Sequence, residues 1–218
     1  MCCWADKGAR VRKTWRTVVG GVNVESRYSH FEGLTTSIMT FNASKSLVEM
    51  GPQIELILSD VDGVLTDGGL YFDNAGVESK RFHIRDGLGV KLWQRGGFRF
   101  GILTARNSQI VKLRAAELGI DIVRQGFENK LPAALEVIRD LRLVPSQVCY
   151  IGDDLTDLPV IRQVGLGVAV ADAAEDVRQS AAHVTRLGGG QGAVRELVED
   201  LLKAKGRWDD LIRKYQIA

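Results

Sequence analysis

The chain has 218 residues, of which 45% are hydrophobic, and this is enough for one well-packed domain with a modest appendage. A formal net charge of +2 gives no reason to expect a nucleic-acid partner, and no apolar run approaches the roughly 20 residues that cross a bilayer. The three cysteines, Cys2, Cys3 and Cys149, do not form a disulfide framework, so we expect a cytoplasmic protein with no membrane partner.

Residues 1–50 differ from the rest of the chain. They are rich in basic and polar residues, and they contain neither a sustained helical or strand periodicity nor a signal-peptide hydrophobic region. We predict a disordered extension here, or else upstream sequence ahead of a true start at Met39 or Met50. The remainder divides into a globular domain over residues 51–205 and a helical tail over residues 206–218.

From Ile54 onward, apolar runs alternate with amphipathic stretches. The apolar runs predict strands at residues 54–58, 98–103, 120–123, 147–151 and 167–170. The amphipathic stretches predict helices at residues 86–94, 107–118, 130–141, 155–164 and 193–205. Because nearly continuous apolar strands between helices are typical of a parallel sheet covered on both faces, we predict a doubly wound α/β domain.

One stretch interrupts this alternation. Between the first strand and its helix lie two short strand-like runs, residues 68–72 and 79–82, on either side of Asp73-Asn74-Ala75-Gly76. Two such runs around an Asn/Gly-containing turn predict a β-hairpin. It emerges from the carboxyl end of the first strand, where open α/β sheets bind ligands.

Polar residues follow several of the predicted strands at the point where each strand ends. Asp60 and Asp62 follow the first strand, Thr104 follows the second, and Asp153 follows the strand at 147–151. Because parallel strands bring their carboxyl ends to one edge of the sheet, we expect these side chains to converge, together with Lys130 at a helix start.

The converged set has the chemistry of phosphoryl transfer. Several carboxylates at one edge repel each other strongly, so that only a hard cation allows them to be ionised together at neutral pH. Oxygen ligands without histidine or cysteine favour Mg²⁺ over zinc. A lysine ammonium and a threonine hydroxyl supply the remaining donors to a phosphoryl group.

Four short motifs occur in order along the globular part: Asp60-Val61-Asp62-Gly63-Val64, Thr104, Lys130 and Gly152-Asp153-Asp154-Leu155-Thr156-Asp157. Together they resemble the signature motifs of the haloacid dehalogenase superfamily. The resemblance implies that Asp60 attacks phosphorus to form an aspartyl-phosphate, while Asp62 protonates the leaving alkoxide and then activates water. Dehalogenase members lack an acid at the position of Asp62, which favours phosphate chemistry over carbon–halogen cleavage.

The same resemblance implies the metal ligands and the residues around them. The carboxylates of Asp60 and Asp153 and the backbone carbonyl of Asp62 would hold Mg²⁺. The other roles fall to Thr104 and Lys130 for phosphate binding, and to Asp157 and Asp154 for orienting Lys130 or a metal-bound water.

The substrate class follows from a finer resemblance. No interval between the motifs has room for an inserted cap domain, and residues 60–68, 85–90 and 188–196 resemble the 3-deoxy-D-manno-octulosonate 8-phosphate phosphatases of lipopolysaccharide synthesis. This implies a cap-less homotetramer whose hairpins pack together and whose sites are completed by adjacent subunits. It also makes Arg85 a candidate for binding the acidic sugar, with Lys80 or Arg106 as further candidates.

Alternatives remain at the level of function. Phosphatases of nine-carbon nonulosonate 9-phosphates share these motifs, and related domains fused to sugar-activating transferases can serve as non-catalytic oligomerisation modules.

Single residues also have plainer interpretations. A surface or interface salt bridge explains Arg85 nearly as well as sugar binding does. The glycines of residues 188–192 are explained by a loop before a helix and need no phosphate-binding role.

Overall fold

The computed structural model describes residues 46–216, beginning with a short helix, α1 (Leu47–Met50). Ser46 caps α1, since its hydroxyl accepts a hydrogen bond from the backbone N–H of Glu49, and Leu47 and Met50 are buried in the core. The predicted extension therefore does not reach residue 50, because residues 46–50 belong to the folded domain. The rest of that prediction, residues 1–45, lies outside the described residues.

A six-stranded parallel sheet forms the centre of the domain, with the strand order β5-β4-β1-β6-β7-β8. Its strands are β1 (Leu56–Ser59), β4 (Arg99–Thr104), β5 (Ile122–Gln125), β6 (Val148–Gly152), β7 (Leu166–Ala169) and β8 (His183–Val184). This confirms the doubly wound α/β fold. The sequence did not predict β8, because a strand of two residues at a sheet edge leaves no apolar run to detect.

Helices cover both faces of the sheet: α2 (Ile84–Arg95), α3 (Gln109–Leu118), α4 (Lys130–Asp140), α5 (Leu158–Ile161), α6 (Glu175–Ser180) and α7 (Ala193–Ala204). A last helix, α8 (Trp208–Gln216), packs against α7. The helix predicted over residues 155–164 is instead a 3₁₀ turn followed by the single turn of α5. Pro159 explains the break, because proline is tolerated only in the first turn of an α-helix. Within residues 46–216, every helix is too short or too polar to cross a membrane.

The hairpin predicted after the first strand consists of β2 (Tyr71–Phe72) and β3 (Glu78–Ser79), which pair antiparallel. Asp73 closes its turn, since one carboxylate oxygen accepts hydrogen bonds from the backbone of Ala75 at 2.9 Å and of Val77 at 2.8 Å. The segment between β1 and β4 contains only this hairpin and α2, so that the carboxyl edge of the sheet carries no inserted domain there.

Candidate active site

Asp60 lies directly after β1 at the carboxyl edge of the sheet. Its backbone N–H donates to the carbonyl of Ile151 on β6 at 3.1 Å, which fixes the residue between the two central strands. One carboxylate oxygen, Oδ1, accepts a hydrogen bond from the backbone N–H of Val61 at 2.6 Å, and the residue is only 6% exposed. The second oxygen, Oδ2, is directed to a buried lysine.

That lysine is Lys130, the first residue of α4. Its ammonium donates to Asp60 Oδ2 and to Asp157 Oδ1, both at 2.6 Å, and the side chain is almost fully buried. Burial by itself lowers the pKa of Lys130, but the two carboxylates outweigh this effect and raise that pKa above its usual value. The lysine is therefore a fixed positive charge beside the nucleophile candidate.

Asp157 fixes the position of Lys130, and both oxygens of its carboxylate accept hydrogen bonds. The hydroxyl of Tyr150 donates to Oδ1 at 2.5 Å, and the backbone N–H groups of Asp153 and Asp154 donate to Oδ2 at 2.8 and 3.1 Å. With Lys130 as a fourth donor, the fully buried carboxylate is well satisfied. Asp157 is thus suited to orienting Lys130 rather than to binding a ligand.

Asp153 completes a group of three carboxylates, with Asp60 and Asp157, whose oxygens lie within 4.8 Å of one another. Burial, followed by repulsion from the neighbouring carboxylates, raises the pKa of Asp153 to about 8, and the same causes raise that of Asp60 to about 6. Oδ1 of Asp153 is buried and has no hydrogen-bond partner among residues 46–216. A buried oxygen without a donor, beside a second carboxylate and no nitrogen or sulfur ligand, fits a hard cation such as Mg²⁺.

The close approach of Asp153 explains why a glycine, Gly63, follows Asp62 in the first motif. The φ of 82° at Gly63 lies in the left-handed region, and a Cβ atom there would stand 2.1 Å from Oδ2 of Asp153. Any side chain at this position would displace the Asp153 carboxylate. The glycine is therefore required by the close approach of the first and last motifs.

Asp62 is less buried than Asp60 and lies beside two cations. The Lys80 ammonium pairs with its Oδ1, and Nε of Arg106 lies 3.7 Å from its Oδ2. Lys80 comes from the end of the hairpin and Arg106 from the loop after β4, so that Asp62 lies beside both of these segments. Thr104, at the end of β4, is buried at the same edge of the sheet.

The structure does not bring two of the predicted residues into this arrangement. Oδ1 of Asp154 accepts from the backbone N–H of Leu155 at 2.8 Å and its side chain caps the following 3₁₀ turn, while its backbone N–H donates to Oδ2 of Asp157 at 3.1 Å. Arg85 makes no hydrogen bond or ion pair with the carboxylates described above and lines a groove of about 700 Å³ with Arg186 and Arg195.

The glycine-rich loop at residues 188–192 packs against the loop after Asp60. A Cβ atom on Gly189 would lie 1.9 Å from the carbonyl oxygen of Gly63, and the backbone N–H of Gly190 donates to Val64 at 3.0 Å. Close backbone packing therefore accounts for the glycines.

Comparison with known proteins gives the same picture of the chain. Residues 102–195 match the family model of haloacid dehalogenase-like hydrolases. The 3-deoxy-D-manno-octulosonate 8-phosphate phosphatase of Escherichia coli K12 is 43% identical over 167 residues, covering 77% of this chain and 89% of that protein. The chain belongs to this family of phosphatases.

Solved structures of the family have the same fold as this phosphatase. The enzyme of Moraxella catarrhalis, in complex with magnesium, phosphate and a KDO molecule, is 38% identical with a TM-score of 0.77, covering 78% of this chain and 98% of that one. The enzyme of Yersinia pestis is 42% identical with a TM-score of 0.74, covering 75% of this chain and 88% of that one.

The sequence patterns do not reveal three residues around the candidate site: Tyr150, Glu78 and Ser108. Tyr150 lies within the apolar run of β6 and resembles a core residue, although a buried hydroxyl needs a partner and so gave a usable signal. Glu78 and Ser108 hydrogen-bond to each other at 2.8 Å across 30 positions of the chain, and no local pattern reveals such a contact.

Proposed function

We propose that this chain is a cytoplasmic, Mg²⁺-dependent phosphatase that converts 3-deoxy-D-manno-octulosonate 8-phosphate to 3-deoxy-D-manno-octulosonate and phosphate. The observation that carries the proposal is the buried group of Asp60, Lys130, Asp153 and Asp157 at the carboxyl edge of the sheet. The family relationship supports the substrate, and the magnesium in the Moraxella catarrhalis structure supports the metal.

In this proposal the chain's own residues carry out two displacements. Asp60 Oδ attacks phosphorus, the bond to the sugar oxygen breaks, and Asp62 gives its proton to the leaving alkoxide. Asp62, now ionised, takes a proton from water, whose oxygen attacks the aspartyl-phosphate and releases phosphate and free Asp60. Lys130 and Thr104 bind the phosphoryl oxygens throughout.

We assign metal binding to the carboxylates of Asp60 and Asp153 and the backbone carbonyl of Asp62. When bound, Mg²⁺ neutralises the charge of these carboxylates and of the phosphoryl group. Asp157 is left out of this set because it is fully buried and its two oxygens already accept four hydrogen bonds within the chain, whereas each oxygen of Asp60 accepts only one. Its contact with Lys130 makes it the residue that orients the lysine.

Steady-state kinetics on two substrates tests the assignment. We expect kcat/KM for octulosonate 8-phosphate to exceed that for a nonulosonate 9-phosphate by at least about 10-fold, the scale on which one well-placed contact discriminates. A preference for the nine-carbon substrate would overturn the proposed substrate while leaving the phosphatase chemistry intact.

We further propose that the enzyme is a homotetramer assembled through the hairpin. The two-stranded hairpin exposes four large apolar side chains to solvent, namely Leu70, Tyr71, Phe72 and Val77. Such a patch on an isolated hairpin is typical of a protein–protein contact, because two strands alone bury too little apolar surface. Arg85, which lies in a separate groove, would reach a substrate only from a neighbouring subunit.

Substitution of Phe72 by glutamate tests this assembly. Phe72 is 58% exposed, so we expect the monomer fold to survive while charge repulsion between hairpins shifts the protein from tetramer to smaller species in sedimentation velocity. Leu135→Glu, at another exposed apolar position on α4, serves as the matched control and should leave the assembly unchanged. Wild-type protein that sediments only as a monomer at micromolar concentration would contradict the proposed tetramer.

The raised pKa values predict that Mg²⁺ affinity depends on pH. Without metal, Asp153 (pKa about 8) and Asp60 (about 6) keep their protons far above the usual carboxyl pKa of 3.8, so Mg²⁺ must displace them. We expect the apparent affinity to rise as the pH increases from 6 to 8 and to level off above 8. Isothermal titration calorimetry in buffers of different ionisation enthalpy would count the released protons, and a pH-independent affinity would contradict the prediction.

The same pKa values fix the sign of the stability change. Folded protein binds more protons than unfolded protein between the ordinary carboxyl pKa of 3.8 and the raised values, so these groups lower the stability of the metal-free fold as the pH rises through that window. We expect the increase in melting temperature produced by saturating Mg²⁺ to be larger at pH 8 than at pH 6.

A further inference from the structure

Glu78 forms the centre of a polar network that the proposed chemical steps do not use. It lies on β3 of the hairpin, where Oε1 accepts a hydrogen bond from the guanidinium of Arg106 at 2.9 Å and Oε2 accepts from the hydroxyl of Ser108 at 2.8 Å. The Lys80 ammonium lies 3.5 Å from Oε1. Hydrogen bonds from Ser108 and then from Arg106, with the charge of Lys80, lower the pKa of Glu78, so it is ionised at neutral pH.

Both cations that Glu78 contacts also lie beside Asp62. Lys80 pairs with Asp62 Oδ1, and Arg106 is 3.7 Å from Asp62 Oδ2, so two carboxylates and two cations alternate around a closed ring. The Lys80 side chain is only 1% exposed, and burying a lone ammonium without partners would be costly. Arg106 is 43% exposed, and its close contact at 2.9 Å is with Glu78 rather than with Asp62.

The ring also joins two separate segments of the chain. Glu78 and Lys80 come from the hairpin, whereas Arg106 and Ser108 come from the loop between β4 and α3. The contacts of Glu78 therefore tie the hairpin to that loop beside Asp62. Since Asp62 must reach the oxygen that leaves with the sugar, the sugar has to lie near these two segments.

We propose that Glu78 is a positioning residue that holds Arg106, together with the buried Lys80, beside Asp62, where the Arg106 guanidinium receives the acidic sugar of the substrate. The inference rests on the proposed function. An arginine recognises a carboxylate or polyol well only when its fork is held in a fixed orientation, and an unanchored, half-exposed arginine loses rotamer entropy on binding. Glu78 removes that cost before the substrate arrives.

The test compares Glu78→Gln with Glu136→Gln, a matched substitution of an exposed glutamate on α4. Each variant is assayed with octulosonate 8-phosphate and with p-nitrophenyl phosphate, which has the phosphate but no acidic sugar. For Glu78→Gln we expect KM for the sugar phosphate to rise about 10-fold, while kcat changes less than about threefold and kcat/KM for p-nitrophenyl phosphate stays within about twofold. Glu136→Gln should match wild type on both substrates.

The loss of the negative charge of Glu78 would by itself lower KM, because it removes a long-range repulsion of the anionic substrate. At about 0.15 M salt the Debye length is about 8 Å, so this effect is reduced, and the assay is run at that ionic strength. Glu78→Asp, which keeps the charge but shortens the reach, should give an intermediate KM.

Two results with the Glu78→Gln variant would overturn the inference and leave the proposed function intact. One is an equal decrease in kcat/KM for octulosonate 8-phosphate and for p-nitrophenyl phosphate, which would indicate a role of Glu78 in the chemical step or in folding. The other is an unchanged KM for the sugar phosphate, whether or not the melting temperature falls. A wild-type enzyme that hydrolyses p-nitrophenyl phosphate but no acidic sugar phosphate would instead reject the proposed substrate, and with it this role of Glu78.

Discussion

Replacement of Asp60 by asparagine is expected to lower Mg²⁺-dependent phosphate release by at least about 10⁴-fold, because an amide cannot attack phosphorus to form the covalent intermediate. The fold should survive, since asparagine has the same shape and its carbonyl can still accept from Lys130 or from the backbone of Val61. Release of phosphate from octulosonate 8-phosphate, followed at saturating Mg²⁺, measures the loss.

The stability of this variant distinguishes loss of the nucleophile from loss of structure. Burial and the charge of Asp157 disfavour ionised Asp60 in the metal-free protein, so removing its charge should leave the melting temperature without Mg²⁺ equal to or above that of wild type. The increase produced by Mg²⁺ should shrink, because a metal ligand is lost. Asp140→Asn, at an exposed position on α4, is the matched control and should retain full activity. Turnover by Asp60→Asn close to that of wild type would refute the nucleophile assignment.

The central part of the site was predictable because it depends on topology. Asp60, Asp62, Thr104 and Asp153 each come at or directly after the end of a parallel strand, and the apolar strands are the strongest pattern in the sequence. Once the strands are placed, their carboxyl ends must meet at one edge of the sheet. Lys130 follows for a similar reason, since it opens the helix after β5.

Lys80 and Arg106 were named as candidates at the periphery of the site, but their contacts were not predictable, because these contacts depend on how irregular segments fold back. Glu78 and Arg106 are 28 positions apart in the chain, and their contact depends on where the hairpin folds back. Strand periodicity predicts that the hairpin forms but not which segment it packs against. Arg85 was a candidate through resemblance, which does not say where its side chain lies in this chain. The helix predicted to begin at Asp86 begins at Ile84, so Arg85 lies within its first turn and lines a groove with Arg195 of α7.

Replacement of Lys130 by methionine is expected to cost stability as well as activity. The substitution keeps most of the aliphatic stem but leaves Asp60 and Asp157, each 2.6 Å from the ammonium in the wild type, without their shared cation. Breaking a buried ion pair from one side typically costs about 3–5 kcal/mol, and losing a fixed charge at the phosphoryl group about 10²–10³-fold in kcat. Urea unfolding without metal measures the first quantity, and steady-state kinetics the second.

Three comparisons make the Lys130→Met result specific to the buried charges. Lys112→Met, at an exposed position on α3, should change the free energy of unfolding by less than about 0.5 kcal/mol. The cost in Lys130→Met should decrease as the pH falls towards about 6, because Asp60 without its cation takes up a proton at a higher pH than in the wild type, and it should level off below that pH. Adding Asp157→Asn to Lys130→Met should recover part of the lost stability, because removing both partners of a buried pair costs less than removing one. The opposite result is a double variant whose free energy of unfolding falls below that of Lys130→Met by as much as two independent losses would give. Asp157 would then stabilise the fold mainly through Tyr150 and the backbone of Asp153, and not by pairing with Lys130.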